Sequence, residues 1–136
     1  MKKFSAFTFA ILLAGCALGQ SIWVIDFVEV KNGHQAEVEY FINENWKTFR
    51  EAALKKSVIK SYRVLRTSPD STAAFSYMMM TEFADSTSFR NVEENFRPIM
   101  KAVRPNGPKF LNDLRPKDFW SIPVSKEAQQ MIGSEK

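Results

Sequence analysis

Residues 22–30 form a β-branched and aromatic run with apolar side chains at both parities. Trp23, Ile25 and Phe27 point to one side of such a strand, while Ile22, Val24, Val28 and Val30 point to the other. A half-solvated antiparallel strand alternates apolar with polar, so this one asks for cover on both faces. That demand limits the folds open to the chain.

The segments that follow supply the first cover. Lys31, Asn32 and Gly33 spell a turn. Over residues 34–57, Val38, Ile42, Trp46, Phe49 and Ala53 recur at three and four residues, which predicts a helix with one apolar stripe. Residues 59–66 return to strand alternation, and Ser68, Pro69 and Asp70 mark a hairpin-type turn. Residues 74–83 predict a third strand, with Phe75, Tyr77, Met79 and Phe83 on one side and Met78 and Met80 on the other. Asp85 suits the N-cap of a second helix running to about Arg104, striped by Phe89, Val92, Phe96, Ile99 and Val103. Pro98 should kink or divide that helix. Residues 118–124 predict a last strand, and residues 125–136 a polar tail, frayed or disordered.

The order is β-α-β-β-α-β, the split βαβ or ferredoxin-like arrangement. The fold class is therefore α+β, a four-stranded antiparallel sheet with two helices on one face. Those helices leave the second apolar face of the sheet bare. A second copy of the sheet packed against it is the simplest cover, which predicts a homodimer.

Ahead of this domain, Lys2 and Lys3 precede an apolar run over residues 4–13 that is too short to span a bilayer. A short basic start, an apolar core and small residues at the exit describe an export signal in residues 1–19. Leu13, Ala14, Gly15 and Cys16 form a lipobox that would make Cys16 a lipidated first residue. Ala17, Leu18 and Gly19 offer an ordinary signal-peptidase site instead. Export predicts a periplasmic or membrane-anchored lipoprotein, or a secreted protein. Cys16 is the only cysteine, so either processing leaves no disulfide, thiolate metal ligand or thiol nucleophile in the domain, residues 20–124.

Composition excludes more. The formal charge is +4, and it falls to +2 when Lys2 and Lys3 leave, because seventeen basic residues then face fifteen acidic ones. Acidic and basic residues alternate along both helices, so no basic face for nucleic acid is expected. Lys55, Lys56, Lys60, Arg63 and Arg66 are the one local excess, a solvated helix end and strand edge or a contact with an anionic surface.

With the turn at Lys31, Asn32, Gly33 and His34, and the segments Asn45-Trp46-Lys47 and Ile59-Lys60-Ser61-Tyr62, the chain from residue 22 to about 124 resembles the dimeric α/β-barrel superfamily. That superfamily includes the antibiotic-biosynthesis monooxygenases and the NIPSNAP-like and EthD-like proteins. It hosts unrelated activities, so the resemblance implies fold rather than function. Its cofactor-free monooxygenases hold a substrate that itself activates oxygen in a pocket built from Trp, Asn, Tyr or Arg. By that resemblance the ligand-pocket candidates are Asn45, Trp46, Tyr62, Tyr77 and Trp120. Haem-degrading relatives place an axial histidine on a helix; helix 2 has none here, which argues against haem.

Asp26 is the best catalytic candidate. A carboxylate among apolar neighbours in a strand costs several kcal/mol unless it finds a partner or protonates. It is either a general base or a structural acceptor for Tyr, Ser or Arg nearby. His34, the sole histidine, lacks a companion at ligand spacing and reads as a solvated helix start. Met78, Met79 and Met80 are adaptable filler, not a copper site, because successive strand residues face opposite ways. Arg97, Arg104 and Arg115 are candidates to clamp an anion. No phosphate loop, Ser-His-Asp pattern or metal cluster is present, and no cofactor is expected. The sequence thus favours an exported dimeric module that binds a small apolar ligand or serves a structural role. The alternative is a cofactor-independent monooxygenase or isomerase acting on an aromatic or polyketide-like molecule.

Overall fold

A computed structural model describes residues 20–133 of the chain. The export signal, its lipobox at Cys16 and the alternative site after Gly19 fall outside the described residues. The elements are β1 (Ile22–Val30), α1 (Gln35–Phe41), a π-helical segment (Ile42–Lys47), α2 (Thr48–Lys55), β2 (Ser61–Arg66), β3 (Tyr77–Phe83), α3 (Ser86–Arg90), α4 (Val92–Val103), α5 (Pro116–Phe119) and β4 (Trp120–Gln129). The strands form one antiparallel sheet in the order β2-β3-β1-β4, which is ferredoxin-like topology. No helix among the described residues is long and apolar enough to cross a membrane.

Parity sorts the sheet as expected. Tyr77, Met79, Thr81 and Phe83 of β3 are buried beneath the helices, with Val24 and Val28 of β1 on the same side. The expected stripe Val38, Ile42, Trp46, Phe49 and Ala53 is buried throughout. Phe96 and Ile99 of α4 close the second half of this core, with Phe89, Val92 and Val103 at its margin. Burying a side chain of this size contributes about 1.5–3 kcal/mol, so the helix layer and the sheet face hold each other.

Four expectations need correction. The first helix is interrupted by the π segment, a widening that frees backbone carbonyls from the regular ladder. Side chains meet some of them: Thr48 Oγ1 donates to Glu44 O at 3.0 Å, and Arg104 Nη2 donates to the same oxygen. The second helix breaks at Asn91 rather than Pro98. Pro98 is exposed, so the Glu94 carbonyl it leaves free faces water. Strand β3 begins at Tyr77, and Phe75, ahead of it, packs edge-on against Phe27 at 4.9 Å on the helix-free face. Finally, the last strand runs to Gln129, so residues 125–129 belong to the sheet and not to a tail. β1 pairs along its length, Ile22 opposite Gln129 and Asp26 opposite Ser125, and an edge strand tolerates polar side chains in that role.

Asp85 caps α3 as expected, accepting from Ser88 N at 2.7 Å. The turn after β1 has Asn32 and Gly33 at φ 51° and 73°, which glycine adopts without penalty. Residues 67–76 form the expected turn, with Asp70 Oδ1 accepting from the N–H groups of Thr72 and Ala73.

Opposite the helices, Trp23, Ile25 and Phe27 of β1 align with Met80 and Met78 of β3, Arg63 and Leu65 of β2, and Val124 and Ala128 of β4. This apolar face is partly covered: Arg63 lies over the Trp23 ring at 5.6 Å, and Ala128, Gln129, Gln130, Ile132 and Gly133 wall a hollow of about 720 Å³ above Trp23, Ile25 and Met80. Leu65 is 48% exposed.

Candidate functional site

Asp26 points to the helix side of the sheet, by parity with Val24 and Val28. Helical cover thins towards edge strand β4, so the carboxylate is half-buried rather than sealed. Ser125 Oγ, opposite on β4, donates to Asp26 Oδ1 at 2.6 Å. This supplies the neighbouring-strand partner that such a carboxylate requires, and among the described residues the other oxygen has none.

Above it stands Arg50, one turn beyond Trp46 on α2. Its Nε donates to Thr81 Oγ1 at 3.3 Å, and its guanidinium lies 4.5 Å from the Trp46 ring centre and 4.9 Å from that of Phe96. Stacking on two aromatic faces suits a planar, weakly hydrated cation. Burial pulls the Arg50 pKa down to about 10, partly offset by the negative charge of Asp26. Even so, Arg50 and Asp26 make no ion pair within 4 Å. Among the described residues, Nε is the only Arg50 nitrogen with a hydrogen-bond partner. The result is a held cation within the electrostatic reach of Asp26, with two donor groups and one carboxylate oxygen unpartnered among the described residues.

The other sequence-selected residues are dispersed. Trp46 belongs to the Arg50 cluster, and Tyr62 meets it edge-on at 5.7 Å. Burial and the nearby Glu51 carboxylate push the Tyr62 phenol upward. Tyr62 and Tyr77 line a separate hollow of about 410 Å³ beside β2. Tyr77 donates to Glu39 Oε1 at 2.7 Å; burial and that carboxylate push its pKa up to about 12. Glu39 also accepts from Gln35 and pairs with Arg66, and these contacts hold its pKa below the usual value. Asn45 is fully buried and committed to the backbone: its Oδ1 accepts from Lys109 N and its Nδ2 donates to Lys109 O, both at 2.8 Å. Trp120 packs on Phe41 at 5.1 Å, near Val30 at the other end of β1.

His34 Nδ1 lies 3.7 Å from Glu37 at the start of α1, the helix-start position read from sequence. Arg97 and Arg104 line a groove of about 630 Å³ between α2 and α4, and Arg50 forms part of the same wall. Arg115 lies elsewhere, 4.4 Å over Phe110. Among the described residues no group of three or more His, Cys, Asp or Glu is positioned to hold a metal.

Sequence reasoning passed over Arg50, Thr81 and Ser125. Thr81 carried a legible signal, as the one polar residue at the inward parity of β3. Arg50 carried a fainter one, four residues after Trp46 and beside the buried stripe.

No family model matches this chain, and no curated protein matches it in sequence. Its fold is similar to that of HapK from Hahella chejuensis, at 13% identity and a TM-score of 0.52, over 85% of this chain and 97% of that one. A dimeric ferredoxin-like protein of unknown function from Thermobifida fusca is 14% identical, with a TM-score of 0.48 over 82% and 92% of the two chains. SnoaB, a cofactor-independent oxygenase from Streptomyces nogalater, is 13% identical, with a TM-score of 0.43 over 86% and 97%. The chain thus has a ferredoxin-like fold, in keeping with its strand order β2-β3-β1-β4.

Proposed function

We propose that this chain is an exported, homodimeric small-molecule-binding domain whose ligand sits in the α2–α4 groove beside Arg50. The observation that carries this reading is Arg50 itself, clamped between two aromatic rings and lining a groove, with Nε its only nitrogen that has a hydrogen-bond partner among the described residues. A largely apolar pocket with a few fixed polar groups is the usual form of a small-molecule site. The dimer is supported by the half-buried apolar face around Phe27, Met78 and Met80, whose remaining exposed surface a second sheet would remove from water. Export rests on the basic and apolar start of the sequence, with lipidation at Cys16 or cleavage after Gly19 as its two outcomes. The test is extraction of small molecules from natively purified wild type and from Arg50→Leu, matched for folded protein. A compound carried by wild type and lost from the variant supports the site. Equal content, or none in either, refutes it.

A second reading is favoured by the separation of Asp26 from Arg50. A carboxylate with an open oxygen and a nearby cation suit removal of a proton from a quinol or an enolisable carbonyl compound. Asp26 takes the proton, and Arg50 stabilises the oxyanion that forms. This would make the chain a cofactor-independent monooxygenase or isomerase. Asp26→Asn that remains folded and dimeric yet loses turnover of a screened quinol supports it; unchanged turnover sinks it.

A further inference from the structure

We infer that the ligand of the α2–α4 groove is an amphiphile with an anionic head and an apolar body; this rests on the binding-domain reading above. The groove has two chemistries along one wall. Phe96 and Met100 give it an apolar lining, while Arg50, Arg97, Lys101 and Arg104 contribute cations. Only one lining residue is acidic, Glu93, and its Oε1 is already paired with Arg97 at 2.9 Å. Glu44 lies nearby, 3.9 Å from Arg104 and 3.5 Å from Lys109, and Asp26 acts on Arg50 from the sheet side. Even with both included, five cations face three carboxylates.

Two further observations point the same way. The Nε of Arg104 is buried without a hydrogen-bond partner, so a second arginine of this wall is under-satisfied. A buried unpaired donor of this kind is destabilising, and the other two nitrogens of Arg104 donate to Val103 O and Glu44 O, so the side chain is held in the wall and offers its charge. Met100 is 45% exposed on the helix side, away from the sheet face that a second copy would cover, so dimerisation leaves it bare. A volume of about 630 Å³ accommodates a chain or ring system of small-ligand size. A carboxylate suits the two free donor groups of Arg50, which match it in a bidentate fork.

The experiment is calorimetric titration of the mature protein with decanoate, decyl phosphate and decanol, each below its micellar range, with phosphatidylglycerol vesicles as a separate arm. Decanoate is expected to bind at least about tenfold tighter than decanol, and to weaken as salt rises. Arg50→Gln should remove most of that difference, leaving the smaller share owed to Arg97, Lys101 and Arg104. If that variant fails to fold, Lys101→Ala, on an exposed side chain, should still reduce decanoate binding about twofold and leave decanol unchanged. Tighter binding of decyl phosphate keeps the anionic class and changes only the head group. Equal binding of decanoate and decanol by wild type overturns the anionic head but leaves the pocket intact. Binding of neither, or of vesicles alone, overturns the small-molecule reading as well.

Discussion

Replacing Asn45 by alanine separates a structural role from a ligand-binding one. Asn45 reaches 64 residues along the chain to pin both backbone groups of Lys109 with 2.8 Å bonds. Each such bond contributes about 1 kcal/mol net, and a stranded buried partner costs about 1–3 kcal/mol. Lys109 is an exposed residue whose bonds are only partly buried, so water recovers some of that loss. The expected destabilisation is therefore about 2–3 kcal/mol, a large share of a total of roughly 5–15. For a domain of this size, about 4 °C per kcal/mol gives a fall in Tm of roughly 8–12 °C. The assay is circular-dichroism melting with urea unfolding, at one fixed protein concentration because a dimer makes Tm concentration-dependent. Asn45→Ala should lower the urea midpoint without altering the slope. A fall below about 2 °C, with loss of ligand binding, would refute the pinning role and restore Asn45 as a ligand contact.

Other perturbations test separate parts of the account. Met80→Glu places a charge in the middle of the bare sheet face and should dissociate the dimer at least tenfold more readily in sedimentation equilibrium; an unchanged constant would remove this face from the interface. Tyr77 should ionise near pH 12 in an ultraviolet titration, and Tyr77→Phe should abolish that step. Because the folded pKa is raised above the ordinary tyrosine value of about 10, stability should be intact below pH 10 and decline as pH climbs towards 12, less so in the variant. The pKa values of Glu39, Glu82 and Asp85 are all depressed, mainly by hydrogen bonds, although desolvation acts against this at Glu82. Their contribution should hold above about pH 4.5 and drain away as pH falls through the lower folded values, seen as a falling Tm in acid. Asp85→Ala should lower Tm at neutral pH and flatten part of that acid slope.

How much of this was legible in the sequence depended on whether a feature repeats locally. The stripe from Val38 to Ala53 and the two-sided apolar pattern of β1 declare themselves within a few residues, and both stand in the fold. The end of β4 does not, because Ser125, Lys126 and Glu127 are polar and their place in the sheet is set by the backbone of β1. Pro98 misled for a similar reason: an exposed proline costs one solvated bond, while the turn at Asn91 depends on how α3 docks on β3. The candidate site was half visible. Asp26 stood out by its misfit among apolar neighbours, but Arg50 acquires meaning only when folding brings it to Thr81, 31 residues away, and to Phe96. The π segment has no periodic signature, although it holds the buried Asn45 and Trp46.

The central claim is a dimer of sheets that carries a small molecule beside Arg50. Native mass spectrometry of the mature protein from its own host tests it most directly, reading the processed mass, the stoichiometry and any bound mass together. The account predicts a dimer with a retained small molecule on each protomer that Arg50→Leu releases without dissociating the dimer. An empty monomer, stable at micromolar concentration, would contradict it.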